Sequence, residues 1–412
     1  MTIKRVAVLG AGVMGSGIAA HLANAGVEVD LLDIVPEGAE DRNQLARSAL
    51  GKLLKTDPAP FMHKSYARRV TPGNMEDDLD RLAEADWIIE VVLEDLKIKH
   101  RTYDKIEKYA KKDAVISSNT STIPLAKLVE GRSAGFQSRF LITHFFNPPR
   151  YMRLLEIIKS DQTRDSVVQE IRDFCDIHLG KGVVFCHDTP GFIVNRILTL
   201  FLQTAINETI NLELTVEEAD SVLSKPVGIP KTGVFGLIDL IGIDLMPHLA
   251  ESLLPSLPEN DAYIQAYKDY PFIHQMIEAG YNGRKGKGGF YRIDKSSGEK
   301  IKQALRIDPD QFSEDQYVRA EKPRLASVEA ARSGLRALVQ HKDKGGQYAW
   351  SVLSQMLHYA AGLVPEIADD IASVDEAMRL GCNWKQGPFE MIDALGADWF
   401  AGQLEAENME IP

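Results

Sequence analysis

The chain opens with KRVAVLGAGVMG at residues 4–15, an apolar run that leads directly into the pattern G-x-G-x-x-G. In this pattern Gly10 permits a tight turn, Gly12 lets backbone N–H groups approach a pyrophosphate, and Gly15 lets the next helix pack closely on the strand. A helix N-terminus favours an anion without help from a basic side chain, and the loop contains none. The stretch therefore predicts a dinucleotide site in a Rossmann-type α/β domain.

Asp33 is a second signal for the same site. It ends the apolar run 29–32, about twenty residues after the glycines, which is the spacing typical of this fold. A carboxylate there accepts hydrogen bonds from ribose hydroxyls and repels a 2′-phosphate. Because Ile34 follows it rather than an arginine, the sequence favours NAD over NADP as the cofactor.

Residues 1–187 alternate short β-branched runs with longer amphipathic stretches, which is typical of βαβ units around a mostly parallel sheet. Ligands bind at the carboxyl ends of such strands, so the residues just after them are expected to carry the chemistry. The predicted strands are 4–9, 28–33, 86–92, 114–118, 139–143, 153–158 and 183–185.

Long helical segments follow residue 187, beginning with one from Phe192 to about Leu212. Two stretches of this part recur, since 216–219 and 235–244 resemble 374–377 and 389–398. The repeat predicts two all-α helical domains related by duplication, the second a degenerate copy that packs on the first in place of a second subunit. The predicted domains are 1–187, 188–295 and 296–412.

Composition excludes several classes of function. The 412 residues include 47 basic and 59 acidic side chains, and the net charge of −12 argues against a nucleic-acid coat or a membrane-surface protein. Cys175, Cys186 and Cys382 show no C-x-x-C spacing and are expected to be reduced, as in the cytoplasm. We find no run long enough to span a membrane and no metal-ligand spacing, so we expect a cytoplasmic protein without membrane insertion or metal.

Candidate catalytic side chains follow two of the predicted strands. Ser121 lies in the polar stretch 117–122, His144 ends the next strand, and Glu156 comes twelve residues later inside an apolar run. If the turn at 147–150 joins neighbouring strands, the imidazole and the carboxylate meet. The carboxylate then fixes the tautomer and raises the basicity of the ring, whose other nitrogen can take a proton from a substrate hydroxyl.

Structural interpretations of the same residues stay open at this point. A histidine before two phenylalanines is often a hydrogen-bonded core residue, Ser121 or Thr122 could cap the next helix, and Asn195 could be a solvated or capping residue. A carboxylate inside an apolar strand is costly unless it is paired, so Glu156 favours a functional pair with His144.

These features together resemble the L-3-hydroxyacyl-CoA dehydrogenases of fatty-acid β-oxidation. The resemblance covers nearly the whole chain, and the doubled helical part is most similar to the dehydrogenase portion of bacterial multifunctional β-oxidation proteins. Its motifs are GAGVMGSGIA at 10–19, IIEVVLEDLKIK at 88–99, SSNTS at 117–121, HFFNP at 144–148 followed by Glu156, and DTPGFIVNR at 188–196.

The resemblance implies a role for each matching residue. His144 would be the catalytic base, Glu156 its carboxylate partner, and Ser121 and Asn195 the residues that bind and polarise the 3-oxygen. The implied NAD-binding residues are Gly10, Gly12, Gly15, Asp33, Glu94, Lys99 and Asn147. The implied coenzyme A contacts are Ser48 and Lys55. Lys55 also lies in a locally basic zone of this acidic chain, which a solvated helix face explains equally well.

The implied reaction is the NAD-dependent oxidation of (S)-3-hydroxyacyl-CoA to 3-oxoacyl-CoA, with β-oxidation hydratase and thiolase as partner enzymes and a monomer or homodimer as the assembly. Two alternatives stay open. An oxidoreductase of a small β-hydroxy acid would favour a lysine base, and a non-catalytic structural or binding homologue would not need Ser121, His144, Glu156 and Asn195 together. Because nothing in the chain resembles a crotonase-like hydratase segment, both a fragment and a stand-alone version fit.

Overall fold

The computed structural model describes residues 3–412, which group into two compact units. The first extends to Phe192 and includes the short segment Glu366–Ala368, and the second comprises Ile193–Pro365 and Asp369–Pro412. The predicted division into three domains, with boundaries after residues 187 and 295, stays a prediction.

The first unit is built on an eight-stranded sheet with the order β3-β2-β1-β4-β5-β6-β7-β8. Strands β1 to β6 run parallel, whereas β7 is antiparallel to β6 and β8 runs parallel to β7. The mostly parallel sheet predicted from the sequence is confirmed. Its strands are β1 (Arg5–Leu9), β2 (Glu28–Asp33), β3 (Val70–Asn74), β4 (Trp87–Glu90), β5 (Val115–Ser118), β6 (Phe140–Phe145), β7 (Leu154–Ile158) and β8 (Gly182–Cys186).

Helices of the first unit cover the sheet, and every residue of the central strands β4 to β7 is buried. Burial on both faces explains why these strands read as continuous apolar runs rather than as alternating patterns. The helices are α1 (Val13–Asn24), α2 (Gln44–Leu53), α3 (Leu96–Tyr109), α4 (Leu125–Leu128), α5 (Ala134–Gln137) and α6 (Asp165–Ile177).

Strand β3 was not predicted from the sequence, because it contains Pro72 and Gly73, which are rare within sheets. It lies at the edge of the sheet, where proline is tolerated since one side of the strand needs no hydrogen-bonded neighbour. The helix predicted from Phe192 begins two residues later, because Phe192 itself has a φ of 51° and is not helical.

The second unit is mainly helical. Its helices are α7 (Val194–Asn211), α8 (Val216–Val222), α9 (Gly233–Ile241), α10 (Leu245–Leu253), α11 (Ala262–Ala266), α12 (Pro271–Glu278), α13 (Ala326–Ala330), α14 (Leu335–Val339), α15 (Lys344–Gly362), α16 (Ile371–Cys382), α17 (Pro388–Leu395) and α18 (Ala397–Ala406). The structure adds a small antiparallel sheet of β9 (Tyr291–Asp294), β10 (Ile301–Leu305) and β11 (Tyr317–Arg319). These strands have three to five residues with lysine and glutamine among them, so they give little periodic signal.

Two aspartates support the predicted duplication. Asp220 in α8 accepts a hydrogen bond from the backbone N–H of Phe235 in α9 (2.8 Å), and Asp375 in α16 accepts one from Phe389 in α17 (2.8 Å). Each aspartate lies five residues after the N-cap of its helix, and in both places a glycine approaches so closely that a Cβ would overlap the carboxylate. The two helix pairs are therefore built alike, which is consistent with a duplication.

The equivalence of these aspartates changes one detail of the predicted repeat. Residues 216–219 align with 371–374 and not with 374–377, because only that register matches the N-caps and the two aspartates by position. The second predicted stretch keeps its alignment, since the N–H groups of Phe235 and Phe389 donate equivalent hydrogen bonds to Asp220 and Asp375.

Within residues 3–412, no single helix is long and apolar enough to cross a membrane. One pair, Gly233–Ile241 and Leu245–Ser256, reaches that length and composition only when combined across a bend of 86°.

Candidate active site

The glycine loop between β1 and α1 has the geometry of a phosphate cradle. Gly10 has a φ of +110°, and a Cβ on it would lie 2.4 Å from the carbonyl oxygen of Val91. A Cβ on Gly15 would lie 1.9 Å from the carbonyl oxygen of Gly10, whereas a Cβ on Gly12 would meet no atom within 4 Å. Two glycines are thus required for packing, and the third leaves open space where a pyrophosphate can approach the start of α1.

Asp33 at the end of β2 completes this cradle. Its Oδ2 accepts a hydrogen bond from the N–H of Ala11 (2.6 Å) and its Oδ1 accepts one from Ile34 (2.7 Å). These bonds fix the carboxylate beside the glycine loop, and each oxygen keeps a second lone pair that can accept from a ribose hydroxyl. The residues present therefore fit an adenine dinucleotide.

A cleft of about 670 Å³ adjoins the loop. Gly12, Asp33, Ser48 and Asn147 are the predicted site residues in its lining. Lys55 is exposed and lies outside the lining, so its role as a coenzyme A contact stays a prediction. The sequence reasoning did not assign a role to Arg150, which also lines the cleft and donates to the carbonyl oxygens of Ala59 and Phe61.

His144 and Glu156 face each other directly across the antiparallel pair β6 and β7. The Nδ1 atom of His144 lies 2.6 Å from Oε2 of Glu156, with the side chain of His144 5% exposed and that of Glu156 fully buried. The turn that follows β6 creates this register, as the twelve-residue spacing predicted. A carboxylate at Nδ1 favours the tautomer with its proton on that atom, and Nε2 is then left as a base.

The other ring nitrogen of His144 meets the polar loop after β5. Nε2 lies 3.1 Å from Oγ of Ser121, and the rings of Phe146 and Phe192 pack against the imidazole at centroid distances of 4.6 and 5.6 Å. The structure therefore brings together Ser121, His144 and Glu156 in one line of contacts.

Glu94 holds the loop that carries Ser121. Its Oε1 accepts hydrogen bonds from the Thr120 hydroxyl, from the N–H of Ser121 (3.1 Å) and from the hydroxyl of Thr122 (3.3 Å). Burial works against ionisation of Glu94, but the Lys99 ammonium and these donors outweigh it, and the pKa of Glu94 is lowered. Glu94 thus stays ionised and fixes the loop, a contact that the sequence reasoning did not foresee.

Lys99 connects Glu94 to a second buried carboxylate, Glu90, at the end of β4. Its Nζ lies 2.8 Å from Oε1 of Glu90 and 3.1 Å from Oε2 of Glu94. Burial would lower the pKa of Lys99, but the two carboxylates outweigh it and the pKa is raised. Oε2 of Glu90 also accepts from the hydroxyls of Tyr103 and Ser118, both at 2.7 Å. The sequence reasoning missed Glu90, although an acidic residue closing an apolar strand was a usable signal.

Asn195 lies in the first turn of α7 and is half-buried in the second unit. Its role beside the 3-oxygen stays a prediction. Among residues 3–412, no group of three or more histidine, cysteine, aspartate or glutamate side chains is arranged to hold a metal ion.

Comparison with known proteins identifies the family of the chain. The family model for the 3-hydroxyacyl-CoA dehydrogenase NAD-binding domain matches residues 5–189, and the model for the C-terminal domain of the same family matches residues 191–293 and 346–410. The chain belongs to the 3-hydroxyacyl-CoA dehydrogenase family. Both the predicted family and NAD as the cofactor of its first domain are confirmed.

Individual relatives agree with this assignment. A Rickettsia felis protein, named for a trifunctional enzyme of a fatty acid oxidation complex, is 41% identical over 411 residues, which are 100% of this chain and 56% of that protein. A Deinococcus radiodurans protein with the name of a 3-hydroxyacyl-CoA dehydrogenase is 42% identical over 72% of this chain and 84% of its own length.

A solved structure shows the same fold. The crystal structure of M. tuberculosis FadB2 matches with a TM-score of 0.61 and 32% identity, covering 71% of this chain and 100% of that one. The chain spans little more than half the length of the curated relatives that match it from end to end.

Proposed function

We propose that the chain catalyses the NAD-dependent oxidation of (S)-3-hydroxyacyl-CoA to 3-oxoacyl-CoA, with His144 as the general base. One observation carries the proposal, namely the imidazole of His144 held between the buried carboxylate of Glu156 and the hydroxyl of Ser121. Family membership supports the substrate class.

In this mechanism Nε2 of His144 accepts the proton of the 3-hydroxyl group as the carbonyl forms. Glu156 stabilises the imidazolium that results, because its carboxylate lies 2.6 Å from Nδ1. A nicotinamide bound at the glycine cradle would accept the hydride that leaves C3 of the substrate. Ser121, held by Glu94 through its backbone, donates a hydrogen bond to the substrate oxygen, and we assign the same task to Asn195.

Coenzyme A recognition is the less constrained part of the proposal. Ser48 lines the cleft beside the glycine loop, together with Lys52 one turn further along α2. Ammonium and hydroxyl groups suit the phosphates of coenzyme A. We assign Ser48 and Lys55 to this contact, as the resemblance implies.

We further propose fatty-acid β-oxidation as the setting, because the Rickettsia felis relative is named for a fatty acid oxidation complex. A hydratase must supply the 3-hydroxyacyl-CoA and a thiolase must consume the 3-oxoacyl-CoA, so both enzyme classes are expected partners. A monomer or a homodimer and a cytoplasmic location complete the proposal.

A single assay separates the candidates. NADH consumption is measured with acetoacetyl-CoA, free acetoacetate and a long-chain 3-oxoacyl-CoA. We expect turnover with the thioesters and little with free acetoacetate. Turnover of free acetoacetate at the rate of the thioester would favour the small β-hydroxy acid oxidoreductase, and no turnover of any substrate would favour the non-catalytic homologue.

A further inference from the structure

The second unit contains an open groove of about 690 Å³ whose lining is strongly basic. It lies at the glycine-rich loop 283–289 and the adjacent sheet of β9 to β11. One carboxylate, Asp239, belongs to the lining. Its six cationic residues are Lys231, Arg284, Lys287, Arg292, Lys295 and Lys302.

Few acids oppose this charge, since Asp239 is the one carboxylate of the lining and acts on Arg284 and Lys302 without forming an ion pair. Arg292 lies 3.5 Å from Glu314, but in the chain from residue 3 onward the other five cations form no ion pair. Asp239 is already engaged, since its two carboxylate oxygens accept hydrogen bonds from the N–H groups of Phe290 and Tyr291, both at 2.8 Å. Five positive charges therefore share one groove in a chain of net charge −12.

The cations of the loop 283–289 differ in whether they form an ion pair. Lys285 lies outside the groove lining and pairs with Asp244 at 2.6 Å, whereas its neighbours Arg284 and Lys287 face the groove without an acidic partner. Like charges in one cavity repel each other and oppose folding. A bound anion would remove this repulsion and stabilise the folded state by mass action.

The backbone under these cations is tightly fixed. A Cβ on Gly283 would lie 2.3 Å from the carbonyl oxygen of Asp239, and a Cβ on Gly289 would lie 1.9 Å from its Oδ1. In the adjacent sheet the ammonium of Lys302 lies 3.7 Å from the centre of the Tyr291 ring. The glycines let the loop pack tightly against Asp239, so the backbone that carries the cations is held in place.

We propose that this groove binds a small, multiply phosphorylated anion, of the class of a nucleoside bisphosphate or a pyrophosphate. Five cations exceed what one phosphate needs, and the volume of about 690 Å³ is that of a site for a nucleotide-sized ligand. The net charge of the chain disfavours a nucleic acid as the occupant.

The test is isothermal titration of the protein in saturating NADH, so that the dinucleotide site is filled. The probes are adenosine 3′,5′-bisphosphate, pyrophosphate and unphosphorylated adenosine. We expect both phosphorylated probes to bind and adenosine not to bind. Replacing Arg284 and Lys287 together by alanine should raise the Kd for the phosphorylated probes by about tenfold or more, because charge-assisted hydrogen bonds are lost.

The matched control is the double variant Lys322→Ala with Arg324→Ala, which removes two exposed cations of the same unit outside the groove lining. It should leave the Kd unchanged. Lys55→Ala should also leave it unchanged, which separates the groove from the coenzyme A contact proposed above. Four results would overturn the proposal. The control variant could lose as much affinity as the groove variant, or the groove variant could bind as tightly as the wild type. Adenosine could bind without any phosphate group, or neither phosphorylated probe could bind.

Discussion

Glu90 and Glu156 are two fully buried carboxylates on strands of the same sheet, and they differ in the group that each one faces. Glu90 contacts the ammonium of Lys99 and the hydroxyls of Tyr103 and Ser118. Glu156 contacts the imidazole of His144. Burial is equal in the two cases, so the different roles that we propose for them rest on the contacts that each carboxylate makes.

The difference indicates that a buried glutamate can serve stability in one place and proton transfer in another, depending on its partner. The pKa of Tyr103 is raised well above its ordinary value by burial and by Glu90, and the pKa of Lys99 is raised as well, so the partners of Glu90 keep their protons at neutral pH. Imidazole is the side chain that exchanges a proton near neutrality. We therefore expect changes at Glu156 to affect turnover and changes at Glu90 to affect stability.

The largest effect is expected from His144→Gln, which removes the group that accepts the proton. Turnover of acetoacetyl-CoA should fall by about 10² to 10⁴, the usual contribution of a general base. The affinity for NADH, measured by fluorescence titration, should stay the same because the glycine cradle is untouched. Turnover within a few-fold of the wild type would remove His144 from the mechanism.

Glu90→Gln tests whether the buried carboxylate of Glu90 stabilises the fold. Removing the buried charge leaves Lys99 with Glu94 alone, and loss of one partner of a buried pair costs about 3–5 kcal/mol. Urea unfolding followed by fluorescence measures this loss. The control is Glu84→Gln, since Glu84 pairs with Arg5 at an exposed position and should contribute little. Equal effects of the two substitutions would contradict the assigned role of Glu90.

The contact between His144 and Glu156 was predicted from the sequence, whereas the contacts of Glu90 were not. The spacing of His144 and Glu156 with a turn between them predicted their contact, because antiparallel register follows from turn length. Glu90 gave only the signal of an acid after an apolar run. Its partners lie 9, 13 and 28 residues away, two of them on α3 and one on β5, and no local periodicity reports such contacts. The small sheet of the second unit escaped prediction because its strands are short and give little periodic signal.

His21 is another buried titratable group of the first unit, and it lies near the ammonium of Lys181. Burial, followed by the nearby Lys181 ammonium, lowers the pKa of His21 to about 3. The unfolded chain therefore binds a proton at a higher pH than the folded chain, and stability falls as the pH drops below about 6.5. Between pH 7 and pH 4.5 the wild type should lose about 2–3 kcal/mol of unfolding free energy that His21→Leu does not lose. Parallel pH profiles of the two proteins in urea unfolding would contradict this.

The smallest effect is expected from Thr120→Val, which removes one hydrogen bond to Glu94 and loosens the loop of Ser121. We expect kcat to fall by about tenfold, in keeping with one charge-assisted hydrogen bond, while the affinity for NADH is preserved. Thr122→Val is the matched control, because its hydroxyl lies 3.3 Å from the same carboxylate oxygen and contributes less. An equal fall in both variants would show that Thr120 has no special role.

The most direct measurement compares Glu156→Gln with Glu90→Gln in two readouts, kcat with acetoacetyl-CoA and the free energy of unfolding in urea. We expect Glu156→Gln to lower kcat by about 10² to 10⁴, because the carboxylate that orients the imidazole is lost, and to cause the smaller loss of stability. Glu90→Gln should show the reverse pattern, with kcat per folded molecule within a few-fold of the wild type. If both variants lost activity and stability in the same proportion, the partner of a buried carboxylate would not decide its role, and the account would be wrong.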